Sequence, residues 1–141
     1  MLAYRRSTLF VVIAAAVTLG CDSNSPSEPT GFDLSGSWTG TATIPEASTA
    51  SIKVQQRVTS ITGALTINTR FPQGQALSGS VDVSSRTFTW LVANGCEMWS
   101  GTLAVSSDAQ TMSGSLLIER DACPPDQVAL GSTSGTLSLT R

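Results

Sequence analysis

A seven-residue motif that recurs six times constrains the fold of this chain more than any other feature. Each copy has Ser or Thr before a Gly and then alternates small polar with apolar residues, and the copies begin at residues 34, 61, 77, 99, 112 and 133. Alternation with a period of two is typical of a β-strand with one buried face. The motif therefore predicts an all-β protein, and no stretch after residue 20 has the period of an amphipathic helix.

Eight strands are predicted when the alternating segments between the copies are included. Their ranges are 34–44, 51–58, 61–68, 76–83, 86–92, 97–105, 111–118 and 134–140, so that Val58 and Val83 are expected to face inward. An even number of strands allows the last strand to pair with the first and to remove both sheet edges. Glycine on the apolar face of six strands favours the sharp coiling of a closed sheet. We expect an eight-stranded antiparallel up-and-down barrel, with a β-sandwich as the alternative.

The connections of such a meander alternate between the two ends of the barrel. Residues 45–50, 69–75, 93–96 and 119–133 gather at one end, which we call the mouth, and most of the longer connections are expected there. The shorter connections close the opposite end, where the first strand begins. We call this opposite end the tether end.

The first 20 residues are predicted to be a signal peptide. Arg5 and Arg6 precede an apolar run at residues 9–19, which is too short to span a hydrocarbon core of about 30 Å. The run ends in Val-Thr-Leu-Gly-Cys at residues 17–21, which resembles the lipobox of bacterial lipoproteins. The resemblance implies that Cys21 carries a diacyl anchor and places the protein at a membrane of the bacterial cell envelope. An ordinary secretory signal is the alternative.

The remainder of the chain is expected to form a tether and one domain. Residues 22–30 are polar and contain two prolines, so residues 21–33 are predicted to be a disordered tether, whereas residues 34–141 are predicted to form the barrel. In an exported chain, Cys96 and Cys123 are expected to form one disulfide at the mouth, and two free buried thiols are the alternative. The chain has no His, so neither a metal site nor a cofactor is expected.

The Gly36-Ser-Trp38 sequence on the first strand resembles the opening motif of the calycin group, which includes lipocalins and avidin-like proteins. The resemblance implies that Trp38 packs across the base of the barrel and that a small apolar ligand binds inside. The candidate ligand-binding residues share the inward face, namely Trp38, Gln56, Phe88, Trp90 and Trp99. The alternative is a packed core, because side chains alone fill many eight-stranded barrels.

A second candidate surface lies at the rim of the mouth. Phe71 stands beside Arg70 at a predicted loop tip between polar neighbours, and we expect these residues to contact a protein partner. Small disulfide-bonded lipoprotein barrels that inhibit lysozyme or peptidases resemble this arrangement in their general build. The alternative is that Phe71 folds back over the barrel as a lid.

Catalysis and nucleic-acid binding are not expected. Only 13% of the residues are charged, the formal net charge is −2, and there is no His to act as a general base. We therefore expect a monomeric, non-catalytic recognition protein. A small apolar ligand is the first hypothesis, and a protein-interaction or inhibitor module acting through the rim is the second.

Overall fold

Eight antiparallel strands close into a barrel in the computed structural model, which describes residues 31–120 and 131–141. Each strand pairs with its neighbours along the chain, and β8 pairs with β1 from Thr39↔Thr140 to Thr43↔Thr136. The predicted closed up-and-down barrel is confirmed, and the alternative of a β-sandwich is wrong. The strands are β1 (Gly36–Ile44), β2 (Glu46–Arg57), β3 (Ser60–Ile67), β4 (Phe71–Asp82), β5 (Thr87–Asn94), β6 (Glu97–Val105), β7 (Thr111–Arg120) and β8 (Gly131–Thr140).

The period-two alternation determines which side chains form the core. Apolar residues at alternate positions face inward, as Ile52 and Val54 do in β2, and the positions between them carry mostly Ser and Thr on the outer wall. Among the described residues, no polar or charged side chain is fully buried. The barrel interior is therefore a single apolar core. Within residues 31–120 and 131–141, no helix is long and apolar enough to cross a membrane.

Gly101 shows why glycine interrupts the inward face. A Cβ atom at this position would lie 2.3 Å from the carbonyl oxygen of Ser115 on β7 and 2.9 Å from Nε1 of Trp90 on β5. Glycine therefore allows β6 and β7 to approach closely while the Trp90 indole occupies the space above them.

Two of the connections expected at the mouth are shorter than predicted. β1 and β2 are joined by Pro45 alone, because Ala50 continues the inward alternation and the strand extends back to Glu46 to pair with β1. Likewise β4 begins at Phe71, with a register shift against β3 between Leu65 and Ile67. The expectation of long loops at 45–50 and 69–75 is therefore wrong.

Two residues predicted to be inward-facing lie outside the core. Val58 is 71% exposed in the β2–β3 turn, where its φ of 56° rotates the chain out of the strand alternation. Val83 follows the end of β4 and is 36% exposed. Both residues lie at the tether end, where the strand ladders stop.

The N-terminal segment crosses and closes the tether end. Leu34 has no exposed surface, and its carbonyl oxygen accepts a hydrogen bond of 2.9 Å from Nε1 of Trp38. Phe32 also packs against the core, so contacts with the barrel extend two residues before the predicted domain start at residue 34. The predicted signal peptide, Cys21, the tether up to residue 30 and Cys123 lie outside the described residues.

Candidate functional site

The four aromatic residues predicted to contact a ligand are all buried in the core. Trp38, Phe88 and Trp99 have no exposed surface, and Trp90 is 1% exposed. A side chain without exposed surface touches neither solvent nor a void that admits water. Because an eight-stranded barrel is only wide enough for side chains to fill it, the burial of these residues fits the packed-core alternative.

Trp90 nevertheless has one unusual feature. Its Nε1 atom is buried and has no hydrogen-bond partner within the described part of the chain. An unsatisfied buried N–H group costs about 1–3 kcal/mol. The neighbouring Trp99 differs, since its Nε1 donates a hydrogen bond of 3.0 Å to Oε2 of Glu97.

Gln56 lies at the tether end, where its side chain binds the segment that precedes β1. Its Oε1 accepts a hydrogen bond from the Leu34 amide at 2.9 Å, and its Nε2 donates to the carbonyl oxygens of Val58 at 2.8 Å and Phe32 at 3.3 Å. The side chain is thus satisfied by backbone groups, which agrees with a structural role at the end of the barrel.

The two predicted rim residues have different environments at the mouth. Arg70 is exposed, whereas Phe71 is only 3% exposed and packs edge-on against Trp99 with ring centroids 4.4 Å apart. The expectation of an exposed Phe71 is wrong, and the alternative that it folds back over the barrel is correct. The residue pairs with Ile67 at the start of β4, so its side chain points inward.

The carboxylate of Glu97 binds two side chains at the mouth side of the core, and neither contact was predicted from the sequence. Glu97 accepts a hydrogen bond of 2.8 Å from Nε of Arg120 through Oε1 and binds the Trp99 indole through Oε2. Since Glu97 and Trp99 are two residues apart on one strand, they share a face. That spacing is the sequence signal that could have identified the contact.

The mouth contains a cleft of about 380 Å³ between the β1–β2 and β3–β4 turns. Two exposed groups of opposite charge, Glu46 and Arg70, contribute to its walls. The β3–β4 turn is joined to the first residues of β2 by hydrogen bonds of 3.0 Å from the Asn68 amide to the Thr49 carbonyl and 3.1 Å from Oγ1 of Thr69 to Oγ of Ser48. The lining residues are Ile44, Pro45, Glu46, Ala47, Thr69 and Arg70.

Cys96 is exposed in the β5–β6 turn beside Glu97. Glu97 pairs with Arg120 in the β6–β7 ladder, so the chain that leads to Cys123 departs from a point next to Cys96. Cys123 itself lies outside the described residues, and the Cys96–Cys123 disulfide stays a prediction.

In the described ranges, no three His, Cys, Asp or Glu side chains are grouped so as to hold a metal ion. No family model matches the chain, and no curated protein or solved structure shows a significant similarity to it. A function for the mouth therefore has to be inferred from its own residues.

Proposed function

We propose that this protein is a lipoprotein of the bacterial cell envelope whose barrel recognises a secreted or periplasmic protein through the mouth cleft. The observation that carries the proposal is the contrast between four core aromatic residues that are at most 1% exposed and an open cleft lined by the exposed side chains of Glu46 and Arg70. Charged groups at a binding surface confer specificity through complementary charges on the partner. The function is recognition without catalysis, and diacylated Cys21 is the anchor.

The cleft is well suited to binding because its walls are held before a partner arrives. Pro45 forms the whole β1–β2 connection, and the contacts of Ser48 and Thr49 with the β3–β4 turn join the two walls. A preorganised surface loses less conformational entropy on association than a flexible one. A Cys96–Cys123 disulfide would also restrain the β7–β8 connection beside the mouth, stabilising the fold by about 3–4 kcal/mol.

The lining indicates the kind of partner segment that fits. Pro45 and Ala47 are exposed small apolar residues that line the cleft together with Glu46 and Arg70, which carry opposite charges. A surface loop with a small apolar residue flanked by a basic and an acidic side chain would complement this cleft. Because such a contact buries little area, we expect it to be weak or transient.

The test uses the full lipoprotein with a photo-crosslinking amino acid in place of Ala47, exposed in the cleft. We expect one defined protein adduct in the envelope. Arg70→Glu should abolish the adduct, and Arg57→Glu, a matched change of an exposed arginine at the tether end, should preserve it. An adduct that survives Arg70→Glu, or that forms equally from Ala64 on the barrel wall, would contradict recognition at the mouth.

A small apolar ligand inside the barrel is the second candidate, and the unpartnered Nε1 of Trp90 favours it. A ligand with an acceptor atom beside this N–H would satisfy it, and the side chains packed around Trp90 would have to move to admit that ligand. Tryptophan fluorescence measured during titration with fatty acids, quinones and haem distinguishes the two candidates. A saturable change would favour the ligand, and no response to any of these compounds would remove that function.

A further inference from the structure

Three apolar side chains surround the point where the N-terminal segment joins the barrel. They are Phe32, Val58 and Val83, which we call the tether collar. Val58 is 71% exposed and Val83 is 36% exposed, whereas Phe32 is partly buried against the core. A Cβ atom added to Gly31 would lie 3.0 Å from both Cγ atoms of Val83, so the N-terminal segment passes directly beside this valine.

Hydrogen bonds hold the collar and the N-terminal segment in one rigid arrangement. The Gln56 amide group donates to the carbonyl oxygens of both Phe32 and Val58, at 3.3 Å and 2.8 Å. The Val81 amide donates to the Thr59 carbonyl at 2.8 Å, which ties the Val58 turn to the end of β4. Both exposed valines are therefore held close to the N-terminal segment at Gly31 and Phe32.

Neither turn geometry nor burial accounts for a valine at position 58. Its φ of 56° lies in the left-handed region, which Gly, Asn and Asp adopt far more readily than β-branched residues. The side chain also lacks contacts with the core, since most of its surface is exposed. Residues that adopt an unfavourable backbone conformation without a compensating contact are often found at functional positions.

The distance along the chain places the collar near the lipid. Gly31 follows Cys21 by ten residues. Ten residues reach at most about 35 Å when fully extended, and a flexible chain of that length spans about 17 Å on average. Of the two ends of the barrel, the one with the collar is therefore held nearer to the membrane. This step rests on the proposed anchoring through Cys21.

We infer that the tether collar docks onto the surface of the lipid bilayer, with Val58 and Val83 inserted among the headgroups and the mouth directed away from the membrane. The anchor supplies the affinity by keeping the collar at a high local concentration near the bilayer, so two valines are enough to orient the barrel. Apolar side chains at such an interface enter about 5–10 Å into the headgroup and acyl boundary.

Docking should depend little on lipid charge. The tether end carries charges of both signs that balance, because three arginines accompany three aspartates there. Two of the arginines are also engaged within the protein, Arg86 over the Phe32 ring at 4.3 Å and Arg141 over Trp38 at 4.7 Å. The six charged residues are Asp33, Arg57, Asp82, Arg86, Asp108 and Arg141.

The experiment places a genetically encoded fluorescent amino acid at position 58, or in a second variant at position 83, of the full lipoprotein. The matched control carries the probe at Met98, which is 40% exposed on the mouth half of β6. In phosphatidylethanolamine vesicles with headgroup-region spin-labelled lipid, we expect quenching at positions 58 and 83 to exceed that at 98 by at least about threefold. Adding phosphatidylglycerol should leave this ratio unchanged.

Equal quenching at the collar and at position 98, on protein that carries fatty acid at Cys21, would overturn the inference and leave the anchoring intact. A different result would also overturn the inference, namely a collar probe that is protected from solvent in native membranes but exposed to solvent in vesicles. That result would show that a protein, and not lipid, covers the collar. If Cys21 carries no fatty acid, the anchoring fails and the inference fails with it.

Discussion

Arg141 stacks over the indole ring of Trp38, with its Cζ atom 4.7 Å from the ring centroid. The same guanidinium donates hydrogen bonds of 3.1 Å and 2.7 Å to the carbonyl oxygens of Asp33 and Ser35. One side chain after β8 therefore covers the closed end of the barrel and binds the segment that leads into β1. Arg141 therefore connects the end of β8 with the start of β1, the two strands whose pairing closes the barrel.

Arg141→Ala should lower the free energy of unfolding by about 1–2 kcal/mol, because it removes an exposed cation–π contact and two hydrogen bonds. Arg57→Ala, a change of an exposed arginine at the same end, is the control and should change it by less than about 0.5 kcal/mol. Urea unfolding followed by tryptophan fluorescence measures both. Equal effects would contradict the role of Arg141.

Val58→Asn should stabilise the protein by about 1 kcal/mol, since asparagine tolerates the left-handed backbone that valine resists. The side chain of Val58 contributes little burial that could be lost. Thermal unfolding measures the difference, and Val83→Asn serves as the control because Val83 has no positive φ. A lower stability of Val58→Asn would show that the valine packs usefully.

Gly101→Ala should destabilise the barrel by at least about 3 kcal/mol or prevent folding, because the added Cβ would meet backbone and the Trp90 ring. Gly95→Ala is the matched control. Its Cβ meets nothing within 4 Å and is opposed only by a φ of 59°, which should cost about 1 kcal/mol. Circular dichroism during thermal unfolding compares them, and equal losses would contradict close packing at Gly101.

Glu97→Ala should lower stability by about 1–2 kcal/mol, since it leaves Nε1 of Trp99 without an acceptor and removes the contact with Arg120. The ion pair itself adds little because both side chains are 26% exposed. Glu97→Gln keeps an acceptor for the indole and should recover most of the loss. Near-ultraviolet circular dichroism detects any change around Trp99, and identical losses in the two variants would argue against the indole contact.

Asp82 should make stability depend on pH in the acid range. Hydrogen bonds from the Ser84 hydroxyl at 2.6 Å and from the Ser85 and Ser84 amides lower its pKa from 3.8 to about 2. Because the pKa is lower in the folded state, the stabilisation is complete above the unfolded value and is lost as pH falls from about 4 to about 2.

Unfolding at several pH values tests this point. The stability difference between the wild-type protein and Asp82→Ala should be constant above pH 5 and shrink below pH 4. Titration of the Asp82 carboxyl signal by NMR gives the pKa independently. A difference that does not vary between pH 6 and pH 2 would contradict the shift.

One contact of the site follows a pattern that is visible in the chain. Glu97 and Trp99 are two positions apart on one strand and therefore share a face. The role of Gln56 has no such signal. Its partners Phe32 and Leu34 lie more than 20 residues away and meet it only because β1 pairs with β2.

The alternation of apolar and polar residues predicted the all-β architecture and the aromatic core, since burial of one face is a local property of each strand. The even number of strands and the inward glycines favoured closure, and the pairing of β8 with β1 decided it against a sandwich. Only the tertiary structure decided where the strands end and which side chains are exposed at the mouth and at the tether end. Ladder pairing extended β2 and β4 through segments that looked like loops, covering Phe71. A left-handed turn moved Val58 outward. These outcomes depend on partner strands and on turn conformation, which short-range periodicity does not record.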